Sequence, residues 1–349
     1  MSMAEQPANR IKTQRVRLGW SQAELAQRAG ISRAAVSAIE IQRLVPSVAA
    51  ALALAAALGC SVEDLFGSQK EPNWAWAPPA DACRYWHATV GQRTLAYPVE
   101  PTAAWVVRHD GVYREDRFQP GTEDSPEATL VLASCDPAAG LLADQIARSA
   151  RVRLLVLPRS SREALSLLRQ GLVHLAGIHL GRTGEADGNV REVKKSLGAG
   201  YRLLRAAKWE AGLALHPALG VHTVHSALER DLRWVGREVG SGARQCLDEL
   251  RADHRPPRRL ARDHRGVAEA IRCGWADVGV CLRLTSEEAG LDFLSVRQEP
   301  YDLCYAAAME DDPRIKAMVS VVRSVSYRRL MGELSGYATS EAGDIQTTS

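Results

Sequence analysis

The sequence predicts an α plus α/β protein in three parts: an N-terminal bundle of five short helices, a small β-rich connector and a C-terminal α/β domain. In residues 8–66, apolar side chains recur at helical spacing between glycines and Pro46. Residues 67–128 hold seven of the sixteen prolines and four of the eight tryptophans, which excludes a long helix. Residues 129–340 alternate apolar strand-like runs with helical ones, the pattern of open sheets covered by helices.

Basic charge is concentrated at the start of the chain. Residues 1–70 hold eight Lys and Arg against five Asp and Glu, whereas the remainder of the chain holds 36 of each sign. A basic excess confined to the predicted helical bundle points to a polyanionic partner for that bundle.

The sequence predicts a cytoplasmic protein without cofactor or membrane partner. The first residues lack the apolar core of a signal peptide, and the longest apolar run has about 13 residues, too few to cross a bilayer. The seven cysteines form no CxxC pair, so we expect reduced thiols, no disulfide framework and no metal site.

Residues 21–40, "SQAELAQRAGISRAAVSAIE", predict two short helices joined at Gly30. Ser21 and Glu24 have the spacing of a capping box at the start of the first helix. The second helix presents only small residues and one arginine on its outer face, and a helix of that girth fits the major groove of DNA. The alternative is a helical bundle that contacts another protein.

This region resembles the Cro-like, or xenobiotic-response-element, helix-turn-helix family over residues 8–66. The resemblance rests on Ser21-Gln22, Glu24-Leu25-Ala26, Gly30-Ile31-Ser32, Val36-Ser37, Ile39-Glu40, Pro46-Ser47, Leu58-Gly59 and Asp64-Leu65-Phe66. It implies contacts to DNA bases or phosphates from Gln22, Ser32, Arg33, Ala34, Ser37, Ala38 and Arg43. Because Arg33 is the only long hydrogen-bonding side chain on the reading face, we expect a homodimer on an inverted-repeat operator of double-stranded DNA.

In the connector, Asp110-Gly111 lies between β-like runs and predicts a tight hairpin at that dipeptide. The aromatic residues of this stretch could form a ligand cage, but we expect them to pack a small core: Trp74, Trp76, Tyr85, Trp86 and Trp105.

Residues 129–340 resemble the type 2 periplasmic-binding-protein fold, and more narrowly a molybdate-binding-protein-like sensor domain. The resemblance rests on "SCDPAAGLLA" (134–143), "LVHLAGIHL" (172–180), "VGSGARQCLDEL" (239–250), "GVAEAIRCGWADVGVCL" (266–282), "LDFLSVRQEPYDL" (291–303) and "SGYATSEAG" (335–343). It implies two lobes, with lobe one at 129–217 plus 305–340 and lobe two at 218–304. The polar tail from Thr339 is expected to fray.

A ligand would lie between the lobes, where strand ends meet helix starts that offer free N–H groups. The candidate ligand-binding residues are Ser134, Cys135, Asp136, Ser160, His179, Ser241, Gly242, Arg244 and His264. Ser160 and Asp263 are also ordinary helix caps, and His179 also fits a buried structural histidine. The charge of Asp136 would repel a bare oxyanion, so it caps its helix or pairs with an amine.

Three functions remain open. The first, which we favour, is a transcriptional regulator controlled by a small anionic ligand, such as a molybdate-like oxyanion or a metabolite. The second is a constitutive DNA-binding protein whose C-terminal domain only dimerises. The third is an enzyme, but no NTPase phosphate loop, GxSxG or HExxH motif appears. Cys135 at a helix start could be an activated thiol, although an inert cysteine is the simpler interpretation. We therefore assign no catalytic residue.

Overall fold

The computed structural model describes residues 9–66, 72–100, 107–121, 125–181, 187–252 and 255–348. Its contacts divide the chain into two units, Met1–Glu71 and Pro72–Ser349. None of the helices within these described ranges combines the length and the apolar character that a membrane span requires.

The N-terminal unit contains the five short helices that the sequence predicts: α1 (Ile11–Arg17), α2 (Gln22–Ala29), α3 (Arg33–Glu40), α4 (Val48–Leu58) and α5 (Val62–Phe66). The capping box is confirmed, because the Ser21 hydroxyl accepts from the Glu24 N–H and the Glu24 carboxylate accepts from the Ser21 N–H. Gly30 ends α2 at a φ of 65°, which any other residue adopts only with strain. The core is built from one face of each helix and includes Leu25, Val36 and Leu54.

The connector folds into a five-stranded sheet in the order β1-β3-β2-β4-β5. Its strands are β1 (Asn73–Trp74), β2 (Cys83–Val90), β3 (Arg93–Pro98), β4 (Gly111–Arg114) and β5 (Arg117–Pro120). The hairpin predicted at Asp110-Gly111 is wrong, because Gly111 begins β4 and the turn lies at Glu115-Asp116, both with positive φ. The aromatic residues pack a core, in which Trp74 contacts Tyr85 and Phe118; Trp105 lies outside the described residues.

The rest of the C-terminal unit is built on one sheet whose main path runs β11-β10-β12-β9-β13-β8-β6-β7, with β14 and β15 on an edge of β9. The strands are β6 (Thr129–Ser134), β7 (Arg153–Pro158), β8 (Leu175–Ile178), β9 (Tyr201–Leu215), β10 (Trp234–Arg237), β11 (Arg259–Ala261), β12 (Val278–Leu282), β13 (Asp292–Ala306), β14 (Tyr337–Ala338) and β15 (Ile345–Thr347). The helices are α6 (Ala139–Ala150), α7 (Ser161–Arg169), α8 (Gly188–Leu197), α9 (Val224–Glu229), α10 (Gly242–Leu250), α11 (His264–Arg272), α12 (Arg283–Glu288), α13 (Pro313–Arg323) and α14 (Val325–Gly332).

Two long antiparallel strands, β9 and β13, run through both lobes. Strand β8 of lobe one pairs with residues 302–304 of β13, and β12 of lobe two pairs with residues 211–215 of β9. The change of partners therefore lies within these strands, whereas the predicted lobe boundaries fall near their ends. Each lobe has apolar clusters that include parallel strands and helices, as the predicted two-lobed α/β fold requires.

The prediction of a frayed tail is wrong. Strand β15 pairs with residues 202–204 of β9, and Thr348 is buried. The Gly200 N–H donates to the Thr348 carbonyl, and the Arg205 N–H donates to the Asp344 carbonyl. The edge of β9 offers backbone groups that the tail satisfies, so pairing does not require an apolar sequence.

Candidate functional site

The outer face of α3 carries the residues that the sequence predicts to read DNA. Ser32, Arg33 and Ala34 are exposed, and Ser37 and Ala38 are partly exposed one turn further along. The Ser32 hydroxyl caps α3 by accepting from the Ala35 N–H at 3.1 Å, which leaves its own proton for a phosphate. The structure thus gathers these five candidates on one narrow helix face.

Gln22 is tied to the end of the reading helix. Its amide nitrogen donates to Glu40 at 2.8 Å, and Arg15 donates to the same carboxylate at 2.6 Å. Burial raises the pKa of Glu40, but these hydrogen bonds bring it below its usual value. The shared carboxylate therefore orients α1, α2 and α3 together. Arg43 is exposed just beyond α3, where a phosphate contact would lie.

At the junction of the lobes, Cys135, His179 and His264 meet. Cys135 follows β6 and His179 follows β8 in lobe one, whereas His264 begins α11 in lobe two. The Cys135 Sγ lies 3.1 Å from the His179 Nε2, and the ligand atoms of all three residues lie within 4.8 Å of one another.

His179 is held by groups on the two crossing strands. Its Nδ1 lies 2.7 Å from the Glu299 carboxylate, which also accepts from the Trp209 indole and the Arg297 guanidinium. Burial lowers the pKa of His179, but Cys135 and Glu299 raise it to about 10. Burial likewise raises the pKa of Glu299, but His179 and Arg297 bring it to about 2. The pair is therefore an ion pair that fixes the ring, with Nε2 facing Cys135.

His264 is buried in a different electrostatic setting. Burial, with Arg237 and His179 adding positive potential, lowers its pKa well below the ordinary range, so the ring is neutral. Among the described residues, neither of its ring nitrogens has a hydrogen-bond partner, and the same holds for one terminal nitrogen of the buried Arg237. Such unsatisfied groups are uncommon in protein interiors and call for a partner.

Ser134 and Asp136 are engaged within the protein. The Ser134 hydroxyl lies 2.7 Å from the Tyr301 hydroxyl, and it accepts from the Asp136 N–H. One Asp136 oxygen accepts from the Ala138 N–H and from the Tyr337 hydroxyl at 2.7 Å. Burial raises the pKa of Asp136 to about 6, although both bonds oppose this. The bond to Ala138 is an Asx turn just ahead of α6, whose N-terminus has no side-chain capping bond, so Asp136 has a structural role but is not the expected helix cap.

Ser241 and Arg244 line a cavity of about 840 Å³ between helices α7 and α8 of lobe one and α10 of lobe two. The Ser241 hydroxyl caps α10 through the Arg244 N–H, and Arg244 pairs with Asp248 at 2.7 Å. Four cationic and three acidic side chains line this cavity: Arg162, Arg191, Lys195, Arg244, Glu192, Asp248 and Glu249.

Gly242 follows the cavity-lining residue Ser241 and packs against His179 of the buried cluster. A Cβ on Gly242 would lie 2.4 Å from the His179 carbonyl oxygen, so only glycine permits this approach. The buried residue Ser160 precedes α7 without a side-chain capping bond, and the Arg162 N–H donates to the Gly240 carbonyl at 3.3 Å. The candidates thus divide into a buried group and a group at the cavity.

Sequence reasoning missed the residues that support His179, namely Trp209, Arg297 and Glu299. Their signal is faint: "VRQEPYD" introduces charge within a predicted apolar segment. Trp209 lies 30 positions from His179 and Glu299 lies 120 positions from it, so it is the pairing of β13 with both β8 and β9 that brings these residues together.

Known proteins match both parts of the chain. The family described as "PBP superfamily domain" matches residues 143–323, more than half of the chain. The chain belongs to this family. Ahead of its PBP superfamily domain, residues 11–65 match the "Helix-turn-helix" family. The chain therefore combines the DNA-binding domain of a helix-turn-helix transcription regulator with a PBP-like ligand-binding domain.

Two relatives come from Bacillus subtilis (strain 168). The uncharacterized protein YvgK is 25% identical over 197 residues, which cover 54% of this chain and 63% of YvgK. The uncharacterized HTH-type transcriptional regulator YgzD is 38% identical over 63 residues, 18% of this chain and 96% of YgzD. Among solved structures, an ABC-type phosphate transport receptor from Vibrio cholerae aligns at 13% identity with a TM-score of 0.44, over 60% of this chain and 99% of the receptor.

Proposed function

We propose that this protein is a transcriptional regulator whose operator binding is controlled by a small anion held between the lobes of its PBP superfamily domain. The observation that carries the proposal is a narrow, exposed reading helix in the same chain as a cavity of about 840 Å³ lined by both lobes. A ligand that bridges two lobes prefers one arrangement of them, and this preference is what regulation requires.

The charge of the cavity favours an anion. Arg162 pairs with Glu192 and Arg244 pairs with Asp248, and the remaining charged lining residues include Arg191, Lys195 and Glu249. The balance of four cations against three carboxylates leaves one positive charge. A volume of this size is typical of pockets for organic ligands, so a carboxylated or phosphorylated metabolite fits better than a bare molybdate-like oxyanion.

Exposed apolar side chains on the N-terminal unit support the expected homodimer. Ile41, Leu44 and Val45 follow the reading helix, and Val48 and Leu52 lie on α4; all five are at least 45% exposed. A cluster of this kind on a small domain is typical of a protein contact. A second copy would supply the second half-site contact that a single Arg33 per chain requires.

The test is an operator titration with the full chain. An operator is selected from random duplex DNA, and its binding is followed by fluorescence anisotropy while oxyanions and small carboxylates are added. We expect at least one anion to shift operator affinity by about 5–150-fold. The double variant Arg244→Ala, Lys195→Ala should bind the operator but lose the shift. Conversion of an added compound would indicate an enzyme, and binding unaffected by every compound would indicate a constitutive regulator.

A further inference from the structure

We propose that Cys135, His179 and His264 form a binding site for a soft divalent transition-metal ion of the Zn²⁺ class, with ligands from both lobes. One thiol and two imidazoles converge with their ligand atoms within 4.8 Å of one another, and His179 and His264 are buried. Sulfur and nitrogen donors select such ions over Mg²⁺ or Ca²⁺, which prefer oxygen. The proposal stands independently of operator binding.

The distances fit a tetrahedral site. With Zn–S near 2.3 Å and Zn–N near 2.05 Å, neighbouring ligand atoms around the ion lie roughly 3.3–3.6 Å apart. The Cys135 Sγ and the His179 Nε2 are 3.1 Å apart, so these two atoms must move apart by a few tenths of an ångström to hold an ion between them. The remaining distances need a contraction of at most roughly 1.5 Å.

Glu299 prepares His179 for a metal ion. The carboxylate engages Nδ1 at 2.7 Å, which directs Nε2 toward Cys135. A metal-binding histidine usually donates its other N–H to a carboxylate, which fixes the ring and makes the ligating nitrogen more basic. The ion would replace the proton between Sγ and Nε2, and that proton would leave to solvent on binding.

The unsatisfied ring of His264 is a second, independent observation that points to a bound ion. It is 2% exposed, and within the described residues both ring nitrogens lack a partner. A thiol–imidazole pair alone would explain Cys135 and His179 but would leave His264 unsatisfied. An ion would engage all three side chains, including one ring nitrogen of His264, and three protein ligands leave one coordination position for water or an exogenous anion.

Cobalt titration tests the site in the full chain. The protein is stripped with chelator under reducing conditions, and Co²⁺ is added while the absorbance is followed. We expect one equivalent to bind with the visible bands of tetrahedral Co²⁺ and a near-ultraviolet thiolate charge-transfer band. The variants Cys135→Ser and His264→Gln should lose more than the roughly 10–100-fold of affinity that an outer-shell change costs. Zn²⁺ should displace the Co²⁺.

Matched controls use an exposed cysteine and an exposed histidine of lobe two. Cys273 lies just after α11 and His225 lies on α9, and the variants Cys273→Ser and His225→Gln should bind Co²⁺ as the wild type does. X-ray absorption of the zinc-loaded wild type needs no variant, and it should show one sulfur near 2.3 Å and two imidazole nitrogens. A metal shell without sulfur, or unchanged affinity in both site variants, would overturn the proposal.

Discussion

The carboxylate of Asp110 is fully buried where the five-stranded sheet meets lobe one. It accepts from Arg153, at 2.5 and 2.8 Å, and from the His87 N–H at 2.7 Å. Burial raises its pKa, but His87 and Arg153 bring it well below its usual value. Asp110, which the sequence predicts to lie in a turn, thus links the connector to lobe one through Arg153.

Asp110→Asn should destabilise the C-terminal unit by about 3–5 kcal/mol, because it removes the buried negative charge that two Arg153 nitrogens engage. Since the pKa of Asp110 is lowered by folding, its contribution is present above pH 4 and is lost as the pH falls below that value. The difference between wild type and variant should therefore shrink in acid. Urea unfolding followed by tryptophan fluorescence measures it, because seven of the eight tryptophans lie after residue 71.

The exposed Asp116 on the neighbouring turn provides the control. Asp116→Asn should change stability by about 0.5 kcal/mol or less at any pH. A similar loss in both variants would show that net charge, and not the buried pair, determines the effect.

At the scale of elements, the outer face of α3 carries one long side chain, and a second arginine lies beyond the end of the helix. Arg33 lies at its first position and Arg43 lies just beyond its end, and both are exposed. The two arginines are therefore expected to contribute differently to DNA binding, one to sequence preference and the other to charge.

Arg33→Ala should weaken binding to the selected operator by about 1–3 kcal/mol and relax preference at one base pair in each half-site. Arg43→Ala should weaken binding to all sequences alike and reduce the salt slope by about one. Anisotropy titrations at several salt concentrations separate the two effects. Lys12→Ala on α1 removes the same charge and should leave the base preference unchanged; altered preference there would contradict the assignment.

The C-terminal strand β15 is a second element with a measurable role. A chain ending at Gly343 loses the pairing with β9 and should be less stable by on the order of 3 kcal/mol, at about 1 kcal/mol for each hydrogen bond. A chain ending at Thr348 retains all of β15 and should unfold as the full chain does. Equal urea midpoints for the two truncations would show that β15 contributes nothing.

The sequence predicts the individual helices and strands better than it predicts how they continue and pack together. The helices of the N-terminal unit and most of the α/β alternation follow from the spacing of apolar residues, which reports burial directly. Each of β9 and β13 consists of two apolar runs in the sequence, because polar residues such as Glu210 and Glu299 interrupt the pattern where one core ends and the next begins. The hydropathy pattern does not predict strand β15, because backbone pairing with β9 stabilises it and apolar burial does not. The meeting of Cys135 with His264 depends on tertiary contacts that spacing does not encode.

At the scale of the whole molecule, both connections between the lobes belong to the same pair of strands. Strands β9 and β13 pair along their length, with register shifts between Ser295 and Arg297 and between Tyr301 and Asp302. A ligand or metal ion that draws the lobes together would therefore bend or twist one two-stranded ribbon. Closure of two lobes about a shared hinge is a common response to a ligand bound between them.

If two copies bind an inverted repeat, operator affinity should depend on whether the two half-sites lie on the same face of the DNA helix. Insertion of five base pairs between the half-sites places the second site on the opposite face of the duplex and should reduce affinity to that of a single half-site. Insertion of ten restores the face and should cost less. Analytical ultracentrifugation should show two chains on the unmodified operator. Equal affinity for both insertions would indicate that each chain binds independently.

The chain enters lobe two through β9 and returns through β13. This path also determines the order in which the two lobes can fold during synthesis. Lobe two is continuous in sequence between these strands, so its contacts are available as soon as β13 has begun to emerge. Lobe one waits for the second half of β13, for α13 and finally for β15. We therefore expect the inserted lobe to fold first on the ribosome, while the earlier-made β6, β7 and β8 remain without their central partner strand.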